Sequence, residues 1–537
     1  MVMKYVRLVA KPTMSEDFLG QRDVGSDGDK AHVLQAPTTK IPDRGRLRNR
    51  YIETSTGKWE VVIGLEVHAQ VISNSKLFSS ASTKFGSAPN ENVSFVDAAF
   101  PGVLPVINTF CIDQAIKTGL GLNGNINLVS YFDRKNYFYA DLPQGYQISQ
   151  YKHPIVSDGY VEIEDENGEV KRLNLERIHI EQDAGKSIHD QSPTKSYIDL
   201  NRSGIALMEI VTKPDMRSAD EVTRFVKKLR SILRYLKTCD GNMDEGSMRA
   251  DVNVSIHRPG TEFGTRAEIK NVNSIKFIAA AIGFEIDRQI DILESGGVVD
   301  QETRLFDPST GKTLVMRSKE DAQDYRYFPE PDLPPLILEQ YRIDEIRSTI
   351  PELPDVKTAR LQRELDLPHY DASLISSEME IANYYEAALA HLPSGDNEAA
   401  KILSNWTLGE LFSYLNKDGK AITDSNVSPK DLAELVMLIK TDVISGKIAK
   451  EVLKLMWDSG KSASVTVEEN GLRQITSVSD IEKCLVAILE EHPDKVAEYK
   501  SGKEKLFGFF IGQAMKKMQG KANPQVLNDS LKRLLER

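Results

Sequence analysis

The stretch Trp59–Val71, WEVVIGLEVHAQV, alternates with period two. Val61, Ile63, Leu65, Val67, Ala69 and Val71 fall on one side, and Val62, Gly64, Glu66, His68 and Gln70 on the other. Successive side chains of a strand point to opposite faces, so one face is expected to be core and the other to carry Glu66 beside His68. The same construction recurs at Arg249–His257, where Ala250, Val252, Val254 and Ile256 oppose Arg249, Asp251, Asn253, Ser255 and His257. At Thr265–Lys270, Ala267 and Ile269 oppose Arg266, Glu268 and Lys270, and at Leu173–Asp183 the residues His179, Glu181 and Asp183 share a face. Any one of these is most simply the solvated side of a half-buried antiparallel strand. Taken together they ask for more, because Asp and Asn compete for backbone hydrogen bonds and are disfavoured in mid-strand, where Asp251 and Asn253 stand. A sheet whose polar faces converge would gather carboxylates, an imidazole, Arg and Lys into one concavity, a setting for a divalent cation and phosphates.

Around this sheet, 537 residues make two to four domains. No apolar run approaches the roughly 18 residues a helical membrane span needs. The net charge of −11 confines any nucleic-acid surface to a local patch. Cys111, Cys239 and Cys484 lie far apart with no C-x-x-C pair, which argues against a disulfide framework and a thiolate zinc site.

Ser218 and Glu221 form a capping box ahead of Val222, Phe225, Val226, Leu229, Ile232, Leu233 and Leu236 at helical spacing. The other face of that helix carries Arg224, Lys227, Lys228, Arg230, Arg234 and Lys237 with no acid among them, which points to phosphate contact. A second helix follows Ser274 and stops at Gly296 and Gly297. Gly119, Gly121 and Gly124 match a dinucleotide fingerprint by spacing, but the preceding residues look like a helix ending. Gly185-Lys186-Ser187 and Gly311-Lys312-Thr313 lack the first glycine of a P-loop, since Ile180 and Phe306 stand there.

Beyond Pro351 the strand pattern gives way to helical spacing, with Ser428 and Pro429 as cap and first-turn proline and Gly446 and Gly460 as breaks. Ser501 and Glu504 read as another capping box. The expected fold is α+β: a leader over 1–58, a β-rich cradle with an antiparallel or mixed sheet over 59–350, an all-α domain over 351–465 and a helical tail over 466–537. Lys500–Arg537 carries nine basic and three acidic side chains, a local excess that offers a handle for RNA phosphates. Met1–Ser15 contains Lys4, Arg7 and Lys11 among apolar residues and no acid, which gives an expectation of mitochondrial import to the matrix.

Several long segments carry a resemblance. Val62–Gln70, Phe100–Pro105, Asp133–Tyr139, Gly145–Gln150, Ile180–Lys186, Ile198–Gly204, Asp244–Arg249, Glu268–Asn271 and Tyr325–Asp332 resemble, in order, the B-subunit family of glutamyl-tRNA(Gln) amidotransferases. The resemblance runs from about Trp59 to the C-terminus. It departs from the family at Ser79, Ala81, Ser94 and Asp97, which stand where bacterial members often carry four zinc-binding cysteines, so no structural zinc is expected. Ala140 and Ala206 replace family prolines, and Gln182 replaces a second glutamate, leaving the acidic role to Glu181.

The resemblance implies an enzyme subunit that uses ATP to phosphorylate the side-chain carboxylate of Glu-tRNA(Gln), then lets ammonia displace the phosphate. The ammonia would come from a partner A subunit, a small third subunit would complete the complex, and the basic tail would engage the tRNA body. From the same resemblance Glu66, His68, Glu181 and Glu268 would hold Mg²⁺, directly or through water. Arg202, Arg249 and Lys270 would hold phosphates, with Arg249 and Lys270 meeting ATP. Glu209, Asp251, Asn253 and Asn271 would orient ligands or guide ammonia. Imidazole is an uncommon Mg²⁺ ligand, so His68 is the chemically weakest of the four. Nothing in the chain resembles an amidase Ser-Lys arrangement, so inactivity alone is expected. The alternative is a tRNA-binding scaffold whose polar strands are merely solvated.

Overall fold

The computed structural model describes residues 50–317, 325–475 and 477–536, the side chains of Asn271 and Arg317 excepted. The expected leader and import signal therefore lie almost wholly outside the described residues. Where the expected leader ends, Tyr51–Thr54 already pairs with Gly57–Glu60 as a hairpin, so the sheet begins earlier than the Trp59 alternation alone indicates.

The α+β reading holds. The main strands are β1 (Gly57–Gln70), β2 (Val170–Gln182), β3 (Ala206–Thr212), β4 (Met248–His257), β5 (Ala267–Val272), β6 (Thr303–Asp307) and β7 (Lys312–Arg317). They lie in the order β7-β6-β5-β4-β1-β3-β2, with the short Val156–Ser157 and Asn125–Ile126 beyond β2. Pairing along this order is antiparallel except between β5 and β6, which run parallel. A parallel pair needs a long crossover, supplied here by a helix, so the sheet is mixed.

One face of the sheet is fully buried. Ile63, Leu65, Val67, Ile178, Ile180, Met208, Ile210, Val252 and Val254 pack there against α1 (Thr109–Gly121), α2 (Ala219–Leu236) and α3 (Ile275–Glu294). Each such side chain contributes about 1.5–3 kcal/mol, which leaves the opposite face free to carry charge. The glycine spacing at residues 119–124 serves packing. Gly119 and Gly121 lie inside α1, and a Cβ there would come within 2.6 Å of Val156 Cγ2 and of Leu236 Cδ1 respectively. Gly311 sits in the turn between β6 and β7, and Gly185 precedes a short strand, so neither opens a helix as a P-loop would.

The Ser218 cap forms, with its hydroxyl accepting from the Glu221 amide at 3.1 Å. The reciprocal bond goes one residue further back, from the Arg217 amide to the Glu221 carboxylate at 2.7 Å. The basic face of α2 corrects the phosphate reading. Arg230 and Arg234 pair with Glu378, Arg234 also meets Glu380 at 3.0 Å, and Lys228 meets Asp355. The Ser231 and Tyr235 hydroxyls donate to the carbonyls of Ser377 and Ser376. The acids missing from α2 are thus supplied more than a hundred residues later, and this face clamps the cradle to the helical region.

That region has two cores. Helices from Pro354–Leu365 to Ala463–Glu469 close around Leu361, Tyr385, Leu403, Val436, Leu453 and Trp457. Helices from Val478–Glu491 to Pro524–Glu536 close around Ile481, Leu485, Phe510, Leu527 and Leu531. Ser428 and Pro429 start a helix as read. Ser501 does not: its hydroxyl donates to the Glu498 carbonyl and closes the preceding helix, so Leu506–Lys517 starts without a side-chain cap.

Candidate active site

The polar face is built by register. Glu209 stands opposite both His68 of β1 and His179 of β2, and Leu207 stands opposite Glu181. On the other side of β1, Arg249 stands opposite His68 and Asp251 opposite Glu66, while Asn253 pairs with Glu268 of β5. A bulge between Ala250 and Val252 locally re-aims β4. The four strands singled out by alternation are therefore neighbours, apart from the insertion of β3, and their polar faces line one cavity of about 1090 Å³.

Two buried carboxylates and two imidazoles form its centre. His68 Nε2 lies 3.8 Å from Glu181 and 3.5 Å from Glu209, and His179 Nε2 lies 3.6 and 3.2 Å from the same pair. The Ser149 hydroxyl donates to Glu181 at 3.0 Å. Burial alone would raise the Glu209 carboxyl, but the His179 and His68 imidazoles outweigh it and hold Glu209 well below the usual carboxylate range. Burial likewise opposes the charged form of His179, yet Glu209 and Glu181 raise its pKa to about 9. Burial disfavours the Lys135 ammonium, which Glu181 and Glu209 overcome, so Lys135 stays firmly charged.

Of the residues expected to hold metal, His68 and Glu181 are brought together with Glu209, their ligand atoms all within 4.8 Å of one another. Two carboxylates and one imidazole fit a hard divalent cation that completes its shell with water. Glu66 and Glu268 lie apart from this trio. Glu66 accepts from Asn253 Nδ2 at 3.2 Å, and burial, followed by repulsion from Glu209, Glu268 and Asp251, raises its pKa. Glu268 pairs with Lys270 at 3.0 Å and accepts from Thr303 at 2.9 Å. Asp251 and Asn253 thus have their reason for standing in mid-strand, since Asp251 accepts from Lys270 at 3.1 Å.

Arg249 reaches Asp183 at 3.3 Å, and Arg202 lies 3.5 Å from the same carboxylate while donating to the Ala184 and Gly185 carbonyls. Both line the cavity, as does Lys270. Asn271 belongs to β5, but its side chain is outside the described residues. Residue-by-residue reading passed over Lys135, Arg177 and a wall of tyrosines, Tyr137, Tyr151, Tyr325 and Tyr327, that closes the cavity. Lys135 comes from Asp133–Asn136, which pairs with Tyr146–Ser149 and Phe328–Pro329 in a separate small sheet, so no periodicity in the main strands points to it. His179 and Asp183 were visible on the shared face of β2 but not separable from solvated residues.

The positions expected to have lost zinc carry a different fastening. Lys76 Nζ donates to Asp97 at 3.0 Å, Asp97 also accepts from the Ser79 hydroxyl at 3.1 Å and the Ser94 amide at 2.8 Å, and both charged side chains are fully buried.

Comparison with known proteins places the chain in a family. Residues 61–344 match the GatB/GatE catalytic domain, and residues 383–535 match the GatB domain. The chain is 60% identical over 482 residues to the B subunit of the aspartyl/glutamyl-tRNA(Asn/Gln) amidotransferase of Acidiphilium cryptum, covering 90% of this chain and 98% of that one. It is 56% identical over 485 residues to the protein of the same name from Gluconobacter oxydans, with 90% and 99% covered. The Brucella ovis protein of that name is 57% identical over 488 residues, with 90% and 96% covered. Matched along nearly the whole length of such relatives, the chain belongs to the GatB family of tRNA amidotransferase B subunits.

Proposed function

We propose that this chain is the B subunit of a tRNA-dependent amidotransferase that converts Glu-tRNA(Gln) to Gln-tRNA(Gln) with ATP and Mg²⁺. The observation that carries the reading is the trio of half-buried His68 with buried Glu181 and Glu209, in a cavity that Arg202, Arg249 and Lys270 also line. A divalent cation held by the trio would neutralise phosphate charge. The remaining work is positioning, which suits a phosphoryl transfer needing no protein nucleophile. Arg249 and Lys270 meet the nucleotide. Glu66, Glu268, Asp251 and Asn253, tied to one another and to Lys270, orient ligands at the far side of the cavity. Ammonia comes from glutamine through a partner amidase-type A subunit, a small third subunit completes the complex, and the basic tail holds the tRNA body. Import into the mitochondrial matrix follows from the acid-free basic character of Met1–Ser15.

The test is an amidation assay on the complex of this chain with its A and third subunits, using charged tRNA. Glu66→Ala or Glu268→Ala should abolish ATP-dependent amidation while tRNA binding survives. Near-normal turnover in both would remove the site assignment, and tRNA binding with no ATP hydrolysis in the unaltered complex would favour a scaffold.

A further inference from the structure

The cavity holds more charge than it leaves available. Seven carboxylates and six Lys and Arg side chains line it. Arg202 and Arg249 are paired with Asp183, and Lys270 with Asp251 and Glu268, so each shares its charge between an acid and any phosphate it meets. Lys135 is held charged by Glu181 and Glu209, and Arg266 sits exposed at the rim. Arg177 differs from the paired Arg202, Arg249 and Lys270 in having no acid of its own among the described residues, from Lys135 in carrying a planar fork of donors, and from Arg266 in lying half-buried. It lines the cavity half-buried, its Nε is shut off from solvent with no hydrogen-bond partner, and it makes no ion pair among the described residues.

Register says what it faces. Arg177 stands opposite Val211, and Val211 opposite Glu66, so along this row an apolar side chain separates the guanidinium from the nearest acid. Arg177 and Glu66 are thus two strand spacings apart on one face, roughly 10 Å, and both line the cavity that lies over this face. His179 and Glu209 are each two residues from Arg177 and Val211 along their strands, so Arg177 stands next along the face to the candidate metal-binding trio. An unpaired guanidinium, with its planar fork of donors and its orphaned Nε, beside a cation site and walled by an apolar residue, is a receptor for a tetrahedral oxyanion.

We infer that Arg177 binds the phosphoryl group that passes from ATP to the substrate carboxylate. This rests on the proposed ATP-dependent reading. In the first step a carboxylate oxygen forms a bond to the γ-phosphorus as the bond to the β–γ bridging oxygen breaks, and ADP leaves with that electron pair. In the second, ammonia bonds to the acyl carbon, the carbon–oxygen bond to phosphate breaks, and the proton lost by nitrogen ends on the departing phosphate. Arg177 holds the same phosphoryl group by its peripheral oxygens in both.

The test uses the whole complex with Arg177→Ala and Arg177→Lys. Because the Arg177 side chain makes no hydrogen bond among the described residues, both variants should keep the parent melting temperature and tRNA affinity. Equilibrium binding with Mg²⁺ should show the preference for ATP over ADP falling at least about tenfold in Arg177→Ala, with ADP affinity unchanged. Glu-tRNA-dependent ADP formation should fall by about 10²-fold or more, with part recovered in Arg177→Lys. An unchanged ATP preference and rate in Arg177→Ala would overturn the assignment of Arg177 alone. Absence of Glu-tRNA-dependent ADP formation in the parent complex would overturn the proposed function and this inference with it.

Discussion

Two surfaces of this molecule look alike in sequence and do opposite things. The basic face of α2 and the polar face of β1 to β5 both carry charge beyond what a solvated face needs. The α2 face is satisfied inside the chain by Glu378, Glu380 and Asp355, and what remains is an interdomain clamp. The polar face turns inward around a cavity, where Arg202, Arg249 and Lys270 are paired with acids and Arg177 makes no ion pair among the described residues. Unmatched charge on one element says that a partner exists. Only the tertiary arrangement says whether that partner is the protein itself or something that binds it.

The largest effect separating the two surfaces belongs to the trio. Glu209→Gln removes the carboxylate that meets both imidazoles, and amidation by the complex should fall by about 10²-fold or more while charged-tRNA affinity holds. Next comes a fully buried ion pair that serves only the fold. Lys76→Met leaves the Asp97 charge uncompensated and should cost about 3–5 kcal/mol in denaturant unfolding, most of it recovered by adding Asp97→Leu. On the clamp, Arg234→Ala should cost about 1–2 kcal/mol with kcat unchanged, because Arg234 is 21% exposed but bonds two acids at once. Exchanging the charges with Arg234→Glu and Glu378→Arg should recover part of that loss. If Arg234→Ala instead weakened ATP binding, the distinction drawn between the two surfaces would fail. The smallest effect is Ser218→Ala, about 1 kcal/mol from the lost cap of α2 and nothing on catalysis.

Alternation made the sheet legible, because period two sorts Val61 to Val71 from Glu66 and His68 whatever lies around them. The pairing order was not legible: β3 reads as a nearly continuous apolar run, ALMEIVT, and its single acid Glu209 turned out to bridge both imidazoles. That residue, expected to orient ligands, sits at the centre of the candidate metal site, while Glu66 and Glu268, expected to hold metal, lie apart from it. Lys135 and the tyrosine wall arrive from a different small sheet, and sequence distance hides such contacts. The α2 face misled for the same reason, since the acids that neutralise it lie on helices read independently.

The central claim is that the polar face of the cradle transfers phosphate to the glutamyl carboxylate. Hydroxylamine added to the complex with Glu-tRNA, ATP and Mg²⁺, and with no glutamine, converts an acyl phosphate to a stable hydroxamate. Hydroxamate should accumulate on tRNA with the parent chain and with Arg234→Ala, and disappear with Glu209→Gln. Parent-level hydroxamate from Glu209→Gln, or none from the parent complex, would contradict the account.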